Sequence, residues 1–138
     1  MQNSVTELPF NQFIGIQTAP APALLQIPAD GKYLNHLGTV HAGAQLALAE
    51  AASGEFLLRT LGPDHGTIPV VRRFESKFRK PANGTVIATV TTPPESLEPV
   101  RAEIAAKGRA LFAVAVELHD QSGAHTLSAT VEWFLARA

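Results

Sequence analysis

Residues 42 to 60, AGAQLALAEAASGEFLLRT, constrain the chain more than any other stretch. Nearly every position is apolar or small, and Gly62-Pro63 beyond them is an ordinary helix stop. The segment therefore reads as one long helix, with Glu55 and Arg59 as an i,i+4 pair in the favourable direction. A helix that is apolar nearly all round must be enclosed, by a sheet on one side and by something else on the other. Glu50 interrupts that apolar surface. A carboxylate among apolar groups is costly unless it is paired or put to use.

What surrounds the helix is read from periodicity. Residues 5 to 14 suit a short helix that would pack Leu8, Phe10 and Phe13 onto the body, and residues 22 to 28 (PALLQIP) suit a first strand ending at the turn Asp30-Gly31. After the long helix the period changes from 3.6 to 2. In IPVVRRFESKF, Ile68, Val70, Phe74 and Phe78 alternate with Arg73, Glu75, Lys77 and Arg79. Asn83-Gly84 is the strongest short hairpin signal and leads into the β-branched run at 85 to 92. Residues 95 to 107 return to helical spacing through Leu97, Val100 and Ile104, with Gly108 as a stop. Strands at 109 to 119 and 125 to 135 follow, joined by the turn DQSG at 120 to 123. A strand, a long helix, then a run of mostly antiparallel strands make an α+β protein, and 138 residues suit a single domain over 1–138 with one core.

Composition narrows the partners. At 46% hydrophobic and 17% charged the chain is an ordinary globular one, and its net charge of −1 gives no reason to expect nucleic acid or an anionic membrane. The lack of cysteine excludes a thiol nucleophile, a disulfide framework and Cys-based metal sites. The start MQNSVTELPFNQF lacks the basic and apolar regions of a signal peptide, and no run approaches the roughly 20 apolar residues of a membrane helix. A cytoplasmic protein is expected.

Gly43, Ala47, Glu50 and Gly54 fall at i, i+4, i+7 and i+11, so they share one stripe of the helix. The small residues admit another backbone or a thin ligand, and Glu50 projects into whatever fills that space. The structural alternative is an ion pair with Arg72, which occupies an inward phase on its strand. The functional alternative rests on the loop NHLGTVH, which carries Asn35 and His41 into the helix N-terminus. There the N–H groups of Ala42 and Gly43 lack intrahelical partners and suit a developing oxyanion. A carboxylate about two and a half turns further on suits a general base or a nucleophile.

The spacing Asn35-x5-His41-x8-Glu50, together with FRKPANGTV at 78 to 86, resembles the hotdog-fold acyl-CoA thioesterases, those of the phenylacetate-degradation and 4-hydroxybenzoyl-CoA types in particular. The resemblance runs from about residue 22 to the end. It implies a sheet wrapped around the central helix, with the helix at 95 to 107 as an addition. It also implies hydrolysis of an acyl-CoA, with Glu50 as the catalytic carboxylate, the Ala42 N–H polarising the thioester carbonyl, and Asn35 and His41 placing water or substrate. The family works as homodimers or dimers of dimers with sites between subunits, which would supply the missing cover for the helix. This chain has His41-Ala42-Gly43 where relatives often have His-Gly-Gly, Glu where Asp is commoner, and Val71 where relatives contribute a polar side chain. No cofactor is implied beyond the coenzyme A of the substrate.

Other residues carry weaker signals. The basic run Arg72, Arg73, Lys77, Arg79 and Lys80 is either a solvated strand face or, with Gly43, part of a binding surface for coenzyme A and its phosphates. His36 with His41, or His119 with His125, lacks an evident third ligand, so no metal is expected. Ser53 reads as a packing residue. Two other functions stay open: an acyl-CoA or acyl-carrier-protein hydratase or dehydratase, and a non-catalytic acyl-CoA binder.

Overall fold

A computed structural model describes residues 4–138. In chain order the elements are α1 (Pro9–Ile14), β1 (Gln17–Thr18), β2 (Leu25–Ile27), α2 (Ala42–Leu61), β3 (Thr67–Phe78), β4 (Val86–Val90), α3 (Glu98–Lys107), β5 (Arg109–Asp120) and β6 (His125–Arg137). The strands form one antiparallel sheet in the order β1-β2-β4-β5-β6-β3, curled around α2. This is the hotdog fold, with α3 as the additional helix before the last two strands.

The core forms because two periodicities meet. Along β5, Ala110, Phe112, Val114, Val116 and Leu118 point inward and are buried. Along β6, Leu127, Ala129, Val131, Trp133 and Leu135 do the same. Against them α2 places Leu48, Ala49, Ala52, Phe56 and Leu57. Each buried Leu, Val or Phe contributes about 1.5–3 kcal/mol, and the alanines between them let the helix lie close to the strands. The helix packs on β2, β4, β5 and β6. The inner face of β3 is left largely uncovered, and its Phe78 is 46% exposed.

Two sequence expectations are corrected. Asn83-Gly84 does not close a hairpin: β3 pairs with β6 at the sheet edge, whereas β4 lies between β2 and β5, so residues 79–85 cross over between them. The turn is instead fastened to the β5–β6 corner, where Asn83 N–H donates to Asp120 Oδ2 (3.0 Å) and Thr85 N–H to Gln121 Oε1 (3.1 Å). Gly84 has φ +76°, which favours glycine, and a Cβ there would lie 2.2 Å from the Gln121 amide, so a larger residue would displace the side chain that receives Thr85 N–H. The second correction concerns the N-terminal segment. Phe10 and Phe13 are 62% and 82% exposed and Leu8 sits at the surface; the buried member of α1 is Asn11. Asn11 Nδ2 donates to the Val5 carbonyl at 2.9 Å and thereby fixes the preceding turn.

What attaches that segment to the body is Glu55. It is only 2% exposed, and its Oε1 accepts from Ser4 Oγ and Val5 N–H, both at 3.0 Å. Its Oε2 accepts from Arg59 Nε at 2.7 Å. The i,i+4 pair visible in the sequence is therefore the base of a long-range latch. Replacing Glu55 with Ala leaves three donors without their acceptor and should lower unfolding stability by about 2–3 kcal/mol, read from urea titration. A loss below about 0.5 kcal/mol would mean that the segment is held by other contacts.

Candidate active site

The loop before α2 is built by Asn35. Its Oδ1 accepts from Leu37 N–H (2.9 Å) and Thr39 N–H (3.1 Å), and its Nδ2 donates to Thr39 Oγ1 (3.0 Å). These bonds occupy the side chain inside the loop, so Asn35 shapes the approach to the helix. Val40 N–H then donates to the Ala82 carbonyl (2.9 Å) and His41 N–H to the Tyr33 carbonyl (2.7 Å), which sets the point where α2 begins.

His41 is the N-cap of α2, and its Nδ1 accepts from Gly43 N–H at 2.9 Å. Gly43 is thus no free donor, contrary to the expectation that both first amides are open. Ala42 N–H has no hydrogen-bond partner among the described residues, and Ala42 is exposed. One amide at the positive end of a 20-residue helix faces outward, ready to meet a carbonyl oxygen.

Glu50 is partly buried, and no hydrogen bond or ion pair reaches its side chain among the described residues. Burial holds its carboxyl above the ordinary glutamate value. The proposed partner Arg72 is exposed. A β-bulge falls between Val71, which pairs with Trp133, and Arg73, which pairs with Glu132, so Arg72 stands outside the alternation that would have aimed it inward. Next to Glu50, Ser53 Oγ donates to the Glu50 carbonyl (2.7 Å) and accepts from Trp133 Nε1 (3.0 Å). This relay ties the helix to the sheet at the turn that carries the acid. Ser53 is completely buried, in keeping with a packing residue.

Glu50 lines a half-open cavity of about 590 Å³. One wall is α2, through Glu50, Gly54, Leu57, Leu58 and Leu61. The second is the inner face of the sheet, through Trp133, Pro69 and Thr67, and the third is the latched N-terminal segment, through Val5 and Leu8. Trp133 is an inward position of an alternating strand and so was legible as core, though not as a cavity wall. Leu8, an apolar residue of the N-terminal segment, was legible as packing on the body; Val5 carried no signal, because its place depends on Glu55.

The basic residues lie along β3 and just after it. Arg73 pairs with Glu75 (2.7 Å), and Arg79 Nε donates to Ser128 Oγ (2.8 Å). Arg72 and Lys80 are exposed with no hydrogen bond or ion pair among the described residues. His119 and His125 stack with ring centroids 4.7 Å apart, and His125 meets Glu117 at 2.7 Å. No group of three His, Asp or Glu among the described residues is placed to hold a metal ion. No helix among them is long and apolar enough to cross a membrane.

The α+β hotdog domain is a fold shared by many solved structures. The chain belongs to the family described as Domain of unknown function (DUF4442), whose model matches residues 13–135. Among solved structures it is similar to a Pseudomonas aeruginosa protein of unknown function described as a probable thioesterase, with 25% identity, TM-score 0.84, and 97% of this chain and 91% of that one covered. It is also similar in fold to a Chlorobaculum tepidum protein of unknown function (20% identity, TM-score 0.80, 96% and 88% covered). A Bacillus halodurans protein solved with CoA shares the fold too (19% identity, TM-score 0.61, 80% and 65% covered). No curated protein matches the chain.

The raised Glu50 pKa has a consequence for stability. Between the ordinary glutamate value and the raised folded one, the native state binds more protons than the unfolded chain, so stability falls as pH rises through that interval and stays lower above it. Glu50→Gln removes the charge that burial penalises. The variant should unfold at higher urea than wild type at neutral pH, and the gap should close on acidification below the ordinary glutamate range. A pH-independent gap would show that the charge on Glu50 is not its source.

Proposed function

We propose that the protein hydrolyses acyl-CoA thioesters to a carboxylic acid and free CoA, with Glu50 as general base or nucleophile. The observation that carries this is an unpartnered, partly buried carboxylate facing an apolar cavity. A structural acid would be satisfied in the way Glu55 is. With Glu50 as base, the carboxylate takes a proton from water and the oxygen attacks the thioester carbon. The carbonyl oxygen, now an oxyanion, is stabilised by Ala42 N–H. Collapse of the tetrahedral intermediate breaks the C–S bond, and the thiolate takes up the proton. The nucleophile alternative passes through a mixed anhydride that water then cleaves. His41 holds the helix start and Asn35 the loop before it. Arg72 and Lys80, two exposed cations with no partner among the described residues, suit the CoA phosphates, with Arg73, Arg79 and the Gly43 backbone as further contacts.

Helix geometry adds a constraint. Ala42 and Glu50 are eight residues apart, about 12 Å along one helix axis, too far to act on one carbonyl. The reaction centre therefore joins Glu50 of one copy to Ala42 N–H of a second. The uncovered inner face of β3 and its free edge supply the surface for that pairing, so the working unit is a homodimer or a dimer of dimers.

Thiol release from a panel of acyl-CoAs tests the reading. Glu50→Gln should lose on the order of 10²–10⁴-fold in kcat. Unproductive but saturable binding in both proteins would favour a non-catalytic acyl-CoA binder, the reading that the apolar Val71 supports. Loss of the enoyl absorbance without thiol would favour a hydratase.

Ala42→Pro deletes only the N–H, because proline is tolerated at the first helical position and His41 already has φ −61° and ψ 140°. This variant should lose about 10²–10³-fold in kcat. Refolding the two inactive variants together should restore about a quarter of wild-type activity if random pairing leaves one intact site in every mixed dimer. No recovery would place both groups on one chain or outside the mechanism.

A further inference from the structure

The outer face of the sheet, on the side away from α2 and Glu50, divides into an apolar end and a polar end. Where β3 begins and β6 ends, Phe134 has Val70 beside it on β3 and Leu111 beside it on β5. Ile68 and Ala136 adjoin them one outward row toward the end of β6, and Ala113 adjoins them one row the other way. Ile68, Val70 and Leu111 are 53%, 54% and 45% exposed. Single apolar side chains on a surface are ordinary, but a contiguous block of them marks a surface that is covered. Further along the same strands the outward positions turn polar, through Glu75, Lys77, Glu117 and Ser128.

Two charges flank the apolar block on opposite sides. Arg109 stands beside Ala136, and Glu132 stands beside Ala113. Arg109 is exposed and Glu132 half-buried, and neither side chain has an ion pair among the described residues. Their rows are four residues apart, about 13 Å along the strands, so they do not meet within one chain.

A second copy laid face to face brings them together. A two-fold axis running across the strands through the Phe134 row sets Phe134, Leu111 and Val70 each against its own counterpart. The same rotation carries the Glu132 row of the partner subunit over the Arg109 row. The two residues are then one strand apart, about 4.8 Å, across faces about 10 Å apart, within reach of both side chains. An axis along the strands would instead put like charges in the same row, which is repulsive.

We propose that this outer face binds a second copy of the chain, sheet to sheet with strands antiparallel, around Phe134 and two reciprocal Arg109–Glu132 ion pairs. Both charges and the whole apolar block are satisfied by one self-complementary contact. The contact leaves the free edge of β3 and the concave side open. Together with the pairing that the hydrolytic reading requires there, it makes the assembly a dimer of dimers.

Sedimentation of the full chain tests it. Phe134→Asp should halve the mass of the wild-type assembly, while any thiol release persists, because the substitution lies on the face away from Glu50. Arg109→Glu and Glu132→Arg should each weaken the assembly by about tenfold or more, and the two together should restore it. A mass that Phe134→Asp leaves unchanged overturns the proposal and leaves the face to a different partner. Failure of the double variant to recover overturns it as well.

Cross-linking gives a readout that does not depend on those variants folding. The chain has no cysteine, so Leu111→Cys carries a single thiol. In the face-to-face pair two such thiols lie on the axis, within span of a bismaleimide of about 10 Å, whereas copies joined through the edge of β3 hold them about 24 Å apart. A covalent dimer is expected, and its absence overturns the proposal whether or not thioesters are cleaved. A covalent dimer in a protein that releases no thiol upholds this contact and removes only the hydrolytic reading.

Discussion

The rest of the structure depends on how low α2 sits in the sheet. Alanines at 49, 51 and 52 are buried against the strands, and Ser53 reaches Trp133 directly. A helix with larger residues there would ride further from the sheet, and the tie between Ser53 and Trp133 would not form. Because α2 covers β2, β4, β5 and β6, it is placed off the centre of a six-stranded surface. One flank is sealed by the core. The other is open, bounded by β3 and by the N-terminal segment, and Glu50 points along that flank.

Two glutamates five residues apart on one helix show how environment divides identical chemistry. Glu55 is the more deeply buried, yet three donors surround it and it serves to fasten residues 4 and 5 to the body. Glu50 is less buried and has none, so the cost of its charge is carried as a raised proton affinity. Burial alone would have singled out Glu55. Satisfaction of hydrogen bonds separates that structural carboxylate from the unpartnered one proposed to react.

The long helix, the three long strands and the extra helix were legible because each has many residues in one period, as in the strict alternation of Ala110 to Leu118. The two-residue strand β1 was not, since Gln17 and Thr18 are both exposed and carry no pattern. The pairing of strands was misjudged at Asn83-Gly84, where a local turn signal says nothing of which strand lies alongside. At the site, Glu50 stood out as an acid in an apolar run. Its relation to Arg72 did not, because a one-residue bulge changes the phase of every later residue and leaves no mark in composition. The role of Val5 in the cavity arises through Glu55, a contact across about fifty positions that no local pattern records.

On either side of that bulge, β3 is an inelastic piece of the chain. Ahead of it Ile68 and Val70 face outward, opposite Ala136 and Phe134; behind it Arg73, Glu75 and Lys77 do so, while Phe74 and Phe78 turn toward the concave side. Excising one residue from a regular run, Ser76 for example, would turn Lys77 into the hollow and the Phe78 ring out into water, whereas excising Arg72 would only undo the bulge and leave Val71 and Arg73 facing as they do. Length variation in this protein belongs in its connections, such as 62–66, and not in the paired runs of the edge strand.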